Sequence, residues 1–362
     1  MNKEVVSEKQ GIALLIMFII GTSSIEITGM AAGKDTWIAI ITAVILMIPI
    51  MLMYEYFHRN FPNKDLYDII MMCFGKFLGK IIMILYTWYF FDEVALVTRN
   101  YSSFVVTVSL AETKVIVIEI GILILCGWIV KKGIEVTGRC ARLWTVMFII
   151  LMTISICLEL PNMSIVNILP VLEKGIKPVI EGIFKSIGFP FGQLIVFMMI
   201  FPNVLKKKNS IVYIKGFLIG SVILFVISLT NLLVLGVGAS ASAYYPTYIT
   251  ISRISVGKVI QRIEIVAGII LTLGAFIKIS IFLMAACKGI AKIFECNDYK
   301  FAVTVITLLA INLTYFEFGS VMELYEYGDT SLLYFSFVFQ IVFPILIWIT
   351  SILRKKKIKL LL

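Results

Sequence analysis

Ten long apolar runs, divided by short polar clusters, fill almost the whole chain. They fall at roughly 11–32, 37–57, 78–107, 113–130, 141–160, 179–203, 211–238, 260–287, 301–319 and 331–353. Each is close to the ~20 apolar residues that a helix needs to cross a hydrocarbon core. The runs are continuous rather than alternating, which predicts helices and excludes a β-barrel. The basic residues between them alternate in density. With both termini on the cytoplasmic side, 22 of the 32 Lys and Arg residues fall in inner segments and 8 in outer ones. That bias matches the positive-inside rule and supports an even number of spans.

Two of the ten runs cannot be simple helices. In VIEGIFKSIGFPFGQLIVFMMIFPN, residues 179–203, the middle reads Gly188-Phe189-Pro190-Phe191-Gly192-Gln193. Pro190 has no N–H, and its ring collides with the carbonyl four residues back. The flanking glycines make unwinding easy. Span 1 carries a second interruption, Gly21-Thr22-Ser23-Ser24, and then Glu26 beyond it. Ser and Thr hydroxyls compete with the helix for backbone groups. A proline kink used only for packing would explain span 6 alone. Interruptions in corresponding positions, five spans apart, instead point to an inverted-repeat transporter core, because broken backbone at membrane depth must face protein or a wet cavity. The expectation is a single all-α integral membrane domain over residues 1–362, with repeats at about 11–160 and 179–353 and with helices 1 and 6 broken.

Composition narrows this further. The chain is 60% hydrophobic and 15% charged, with mean hydropathy +1.02, which excludes a soluble domain. The net charge of +10 sits in clusters between apolar runs. It reads as topology and lipid contact, not as a nucleic-acid footprint. The six cysteines form no C-x-x-C pair, and His58 is the only histidine, so no metal centre or other cofactor is expected. The first run continues past signal-peptide length and its pattern repeats along the chain, which argues against a leader. Between spans, Asp65 is placed to cap a short surface helix. Lys131 to Val136 reads as a tight reversal, 239–259 as an interfacial helix with an aromatic edge, and Arg354 to Lys357 as an inner anchor.

The order of motifs resembles a known family. Asn167 to Pro178 (NILPVLEKGIKP), Phe189-Pro190-Phe191-Gly192 and Phe201-Pro202 are similar to the signature region of the spore germinant-receptor B subunits. These endospore germination permeases are a branch of the amino acid–polyamine–organocation superfamily. Gly29 to Trp37, Gly75 to Lys80, Gln261 to Glu264 and Phe276 to Ser280 extend the resemblance over nearly the whole chain. It implies a LeuT-like 5+5 fold, a spore inner-membrane location, and assembly with A and C subunits into a nutrient receptor, commonly for amino acids. The family pattern often has Glu after the Phe-Gly of span 6. Here the residue is Gln193, which donates and accepts but cannot hold a proton, and this argues against proton or cation coupling at that position.

On this reading the opened backbone near Gly21, Thr22, Ser23 and Ser24 faces that near Gly188, Phe189, Pro190, Phe191, Gly192 and Gln193. The N-terminus of the outer half of span 1 would offer N–H donors to a ligand carboxylate, and half-helix carbonyls would take its ammonium. Tyr86 and Tyr89 of span 3 offer rings with hydroxyls suited to capping a ligand. Asp92, Glu93 and Arg99 are intramembrane charges that need a partner or the bundle interior. Lys278 of span 8 is expected to replace an ion near the span 1 break or to pair with an acid of span 1 or 3. The cluster Glu317, Glu323, Glu326 and Asp329 with Tyr315, Tyr325 and Tyr327 forms an acidic, aromatic outer rim suited to a partner subunit. No motif of a hydrolase, metalloprotease or nucleotide-binding enzyme is present, so the chain is not read as an enzyme. The expected function is a germinant-sensing subunit with its ligand between helices 1, 3, 6 and 8. The alternative is an amino acid or cation permease working by alternating access.

Overall fold

The computed structural model describes residues 5–200, 202, 211–254 and 264–354, and the regular elements among them are helical. Helix α1 (Glu8–Ile20) opens on a capping box: Gln10 N–H donates to Ser7 Oγ at 3.3 Å, and Ser7 N–H donates to Gln10 Oε1 at 2.9 Å. From Ala13 onward every residue of α1 is buried, as befits a helix apolar on all sides. It stops at Gly21. The chain then runs through short 3-10 turns at Thr22–Ser24 and Met30–Asp35 before α2 (Thr36–Asn60) begins. Span 1 was expected to extend to residue 32 with a helical outer half. No such half-helix forms. Gly29 (φ 73) and Gly33 (φ 60) take left-handed backbone that a regular helix excludes, and Ser24 Oγ donates back to Gly21 O at 3.1 Å.

Helix α3 (Leu66–Val108) is capped by Asp65 and bends at Gly75 (φ 78, ψ −174). The surface helix expected on Asp65 is therefore the first part of α3. Lys292 pins it by donating to both Asp65 Oδ1 and Asp68 Oδ1 at 2.6 Å. Helices α4 (Val115–Lys132) and α5 (Ile134–Glu159) reverse through the single residue Gly133 (φ 94), so α5 starts at 134 rather than 141. Helix α6 (Lys177–Ser186) breaks as expected. It passes through a π turn at Ile187–Phe191, where Phe189 is extended (φ −141, ψ 119), into a 3-10 segment Gly192–Met199.

The remaining elements are α7 (Val212–Ser242), the short α8 (Pro246–Ser252), α9 (Ile265–Ile293), α10 (Lys300–Glu317), α11 (Val321–Asp329), α12 (Ser331–Phe337) and α13 (Phe343–Leu353). A π turn at Val338–Val342 links α12 to α13 within one span. The short helix α8 falls within 239–259, where an interfacial helix is expected, and buries Pro246, Thr247, Thr250 and Ile251 against the protein. The motif residues Phe201 and Gln261 to Ile263, the bases Lys206 to Lys208 and the tail Lys355 to Lys357 lie outside the described residues.

Among the described residues, eight helical segments are long and apolar enough to cross a membrane. The other two of the ten spans fall short for visible reasons. The break cuts α1 to 13 residues, and α4 carries Glu119, Lys131 and Lys132 within its 18. Helices α1, α3, α7 and α9 and the broken span 177–199 pack together at the centre. Helices α4, α5 and α10 turn rows such as Ile124, Trp128, Leu143, Ile150, Leu308 and Leu309 outward. An apolar belt of that extent suits lipid and not water.

The α1 break is seated backbone to backbone on α9. A Cβ on Gly274 would run into Gly21 Cα, and one on Gly21 would stand 3.1 Å from Gly274 O. Gly274→Val is expected to destabilise the protein by about 1–3 kcal/mol. Gly268→Ala, on the same helix with open space at its Cβ position, should change stability by no more than about 0.5 kcal/mol. Thermal unfolding of the detergent-solubilised variants measures both.

Candidate functional site

The two breaks meet at the centre of the bundle, and the polar groups they bring together are almost completely buried. Thr22, Ser23, Tyr89, Glu93, Gln193, Lys278 and Gln340 are each no more than 3% exposed. Helix α9 carries Lys278 to the α1 break, where its Nζ lies 3.5 Å from Thr22 Oγ1. The same ammonium stands 4.2 Å from the Phe189 ring centroid and 5.3 Å from that of Phe18, so two aromatic faces replace part of its hydration. Helix α3 carries Glu93 to the other end of the broken segment, where Gln193 Nε2 donates to Glu93 Oε2 at 2.7 Å. Lys278 and Glu93 lie near enough for each to feel the other's charge, and among the described residues they form no direct ion pair. The segment from Phe189 to Gln193 thus touches the cation at one end and the anion at the other.

Backbone groups released by the breaks are taken up by side chains. Gln340, in the π turn between α12 and α13, donates to Gly188 O at 3.0 Å and to Tyr89 OH at 2.9 Å. At the α1 break, Thr247 Oγ1 donates to Ser24 O at 2.7 Å, Thr247 N–H donates to Ile25 O at 3.3 Å, and Asn231 Nδ2 donates to Thr247 Oγ1 at 2.6 Å. The expected helix N-terminus at this point is absent. Positive charge comes from Lys278 instead of from a helix dipole, and the Ser24 and Ile25 carbonyls are already engaged.

The expected site residues divide accordingly. Gly21, Thr22, Ser23, Tyr89, Gly188, Phe189, Pro190, Gly192, Gln193, Glu93 and Lys278 are brought together around the two breaks. Ser24 turns to its own backbone. Phe191 packs edge-on against Phe217 of α7, at 5.5 Å between centroids. Asp92 lies against Glu317 at the end of α10 rather than facing Lys278. Arg99, two turns from Asp92, donates to Glu119 of α4 at 2.9 Å and to Phe318 O at 2.7 Å. In the outer rim, Tyr325 OH donates to Tyr244 O at 2.9 Å and to Glu26 Oε1 at 3.3 Å, so part of the rim closes onto span 1. Gln340, Thr247 and Asn231 escaped the sequence reading. The usable signal for Gln340 is a lone amide in the middle of the apolar run 337–349.

Several polar atoms at the site have no hydrogen-bond partner among the described residues: Ser23 Oγ, Glu93 Oε1, Gln193 Oε1 and Gln340 Oε1. Each is an acceptor or donor withdrawn from water, which is costly unless something else engages it. The arrangement offers one buried cation, one buried anion and free oxygens within a shell of aromatic rings. It can hold a small molecule that itself carries both charges.

Comparison with known proteins agrees with this architecture. A family model described as "Spore germination protein" matches residues 5–321. The chain is 28% identical to spore germination protein KB of Bacillus subtilis (strain 168) over 365 residues, covering 99% of this chain and 97% of that protein. It is 21% identical to the putative spore germination protein YfkT of the same organism, over 88% of this chain and 87% of the relative. Spore germination protein XB of Bacillus anthracis is 24% identical over 77% of both chains. Among solved structures, the fold matches that of Mhp1, a nucleobase-cation-symport-1 family transporter in a closed conformation with bromovinylhydantoin bound. The TM-score is 0.67 at 14% identity, covering 91% of this chain and 76% of Mhp1. That likeness establishes a LeuT-type transporter fold.

Removing Lys278 alone strands the Glu93 carboxylate, so Lys278→Met is expected to lower the unfolding midpoint. Adding Glu93→Gln to it should recover part of the loss. The coupling energy from the double-mutant cycle is expected at about 0.5–3 kcal/mol. A cycle that closes additively would mean the two charges do not sense each other.

Proposed function

The chain belongs to the spore germination protein family, and we propose that its role there is to sense a small amino-acid-like germinant within the membrane. The observation that carries this reading is the pair of opposite charges, Lys278 and Glu93, at the two ends of the broken span 6 segment. A zwitterion fits both. Its carboxylate would lie toward Lys278 and Ser23, and its ammonium toward Glu93 Oε1 and Gln193 Oε1. Phe18, Tyr89 and Phe189 would pack against its side chain. Helices α1, α3, the broken span 6 and α9 therefore form the binding site, with Gln340 as a further wall from the last span.

Family and fold indicate a receptor- or permease-type membrane protein rather than an enzyme. We read residues 11–160 and 179–353 as the two inverted repeats of one membrane domain, with both termini on the cytoplasmic, core-facing side of the spore inner membrane. Partner A and C subunits would complete the receptor. The acidic rim around Glu323 and Glu326 is a suitable contact surface for one of them. The second reading is a permease, favoured by the match to a transporter fold, since the same scaffold serves sensing and transport.

The test pairs binding with movement. Amino acids are screened for thermal stabilisation of the purified protein, and the best is offered to proteoliposomes. A ligand at 100 times its Kd should stabilise by about 2.7 kcal/mol. The stabilisation is expected to vanish in Gln193→Leu and Lys278→Met. Stabilisation without uptake supports the sensor, saturable uptake makes the permease reading correct, and no stabilisation by any amino acid refutes the proposed ligand class.

A further inference from the structure

The stretch 160–176 joins α5 to α6 and holds most of the motif Asn167 to Pro178, yet it takes no part in the zwitterion site. It turns a row of aliphatic side chains outward: Ile165 (69% exposed), Val166 (73%), Leu169, Val171, Leu172 and Ile176. A contiguous apolar face of this kind marks a contact surface. The row continues the lipid-facing side of α5, which runs through Leu143, Ile150 and Ile154 to Leu160, and it leads on to Ile180 and Phe184 of α6. The charged residues gather at the far end of the loop, where Glu173, Lys174 and Lys177 are exposed.

The depth of the loop follows from the helix it rests on. Ser164 N–H and Asn167 Nδ2 both donate to Leu233 O of α7, at 2.9 and 2.7 Å. At ~1.5 Å per residue, Leu233 stands about 32 Å along α7 from its Val212 end. A hydrocarbon core is about 30 Å thick, so this point lies at its edge. Helix α5, with 26 residues, is already about 39 Å long when it ends at Glu159. The loop therefore turns back toward the bilayer instead of standing clear of it. Backbone at that depth must be satisfied by protein. Leu172 N–H donates to Asp35 Oδ1 at 2.9 Å, the N–H groups of Asn167, Leu169 and Gly175 donate to carbonyls within the loop, and Pro161 and Pro170 have no N–H to place. Polar backbone is thus engaged by protein while the aliphatic side chains point away from it.

We propose that residues 160–176 form a membrane-contact element, with Ile165, Val166 and Leu169 seated among phospholipid acyl chains at the headgroup boundary. A protein partner fits this face less well. Contacts between proteins concentrate their energy on Trp, Tyr and Arg, and the stretch contains none of them. On the topology proposed above, the leaflet is the outer one; the contact itself depends neither on that topology nor on the ligand. The loop is also a strap. Leu172 N–H holds Asp35, Glu173 pairs with Lys34 at 2.6 Å, and Ile176 leads directly into α6. Lipid packing against the loop therefore bears on the segment beyond the span 1 break and on the start of broken span 6.

Photo-crosslinking of the full-length chain tests this. A diazirine-bearing amino acid replaces Val166, Leu169 or Lys174, one at a time, and each protein is placed in nanodiscs of phosphatidylglycerol and phosphatidylcholine. All three side chains are exposed, so the probe displaces no packing, and Lys174, at the charged end of the same loop, controls for folding and labelling. After photolysis, mass spectrometry counts the lipid adducts. Adducts at Val166 and Leu169 are expected to exceed those at Lys174 by about tenfold, the partition that burial of one aliphatic side chain supports. The same probes in membranes of the producing cell should again capture phospholipid. Yields at Val166 and Leu169 no higher than at Lys174, or crosslinks to protein in place of lipid in the cell membranes, overturn the proposal. Neither result bears on amino-acid binding, so the two proposals fail separately.

Discussion

The structure depends on one constraint: two central helices are broken where lipid cannot satisfy their backbone, so protein must cover every group they release. Much of the buried polarity in the bundle follows from this. Gln340 is placed opposite Gly188 O. Asn231 and Thr247 form a relay ending on Ser24 O. Gly274 lets the α1 break approach α9 so closely that no side chain fits between them. Gly182 plays a similar part farther along, where a Cβ would come within 2.8 Å of Gly29 O. Gly182 lies on α6 just before its break, but the other residues belong to elements outside the two broken spans. A change at a break therefore propagates into α7, α8, α9 and the last span.

The charges at the centre obey a related logic. Lys278 and Glu93 each lack a direct ion pair, yet neither is electrostatically alone. Lys278 rests on the faces of Phe18 and Phe189, and Glu93 accepts from Gln193. The amide at position 193 cannot itself carry charge, but α3 holds a carboxylate against it at 2.7 Å. The negative charge of this region therefore sits on a helix that remains continuous across the site. Arg99 and Glu119 show the contrasting case of a closed pair, bonded at 2.9 Å and tied to Phe318 O. That pair fastens α3 to α4 and α10. Its ammonium-like counterpart at Lys278 keeps capacity for something else.

How much of this was legible in the sequence follows from the range of each interaction. The break in span 6 was legible because Pro190 and its glycines act within one turn. The end of α1 was legible at Gly21 for the same reason. The outer half of span 1 was misread: Ile25 to Ala32 is apolar enough to suggest helix, but Gly29 and Gly33 adopt left-handed backbone only because the segment packs on α6 and α7. The convergence of Lys278, Thr22 and Phe189 was partly legible, since intramembrane charge must find company. The choice of Glu317 for Asp92 and Glu119 for Arg99 was not, because helix-to-helix rotation decides it. Nor were the partners of Gln340 and Thr247, which answer to carbonyls 152 and 223 residues away.

A sealed site of this kind sets the terms on which a ligand acts. Glu93 Oε1, Gln193 Oε1 and Ser23 Oγ are unpartnered here, so the closed arrangement carries a desolvation cost that a matching zwitterion would relieve. On the proposed reading, such a ligand would stabilise this arrangement over any in which the two charges are farther apart or wetted, and by no more than that difference in interaction energy. A molecule bearing only one of the two charges would satisfy one end of the Phe189–Gln193 segment and leave the other uncompensated. Discrimination then comes from unmet polar groups rather than from shape, which is the stronger basis for specificity. The broken segment is the natural carrier of the response: it touches both charges and, through Gly188 and Gly192, packs against the last span. On the proposed reading, ligand contact at its two ends would be felt by the last span through that packing.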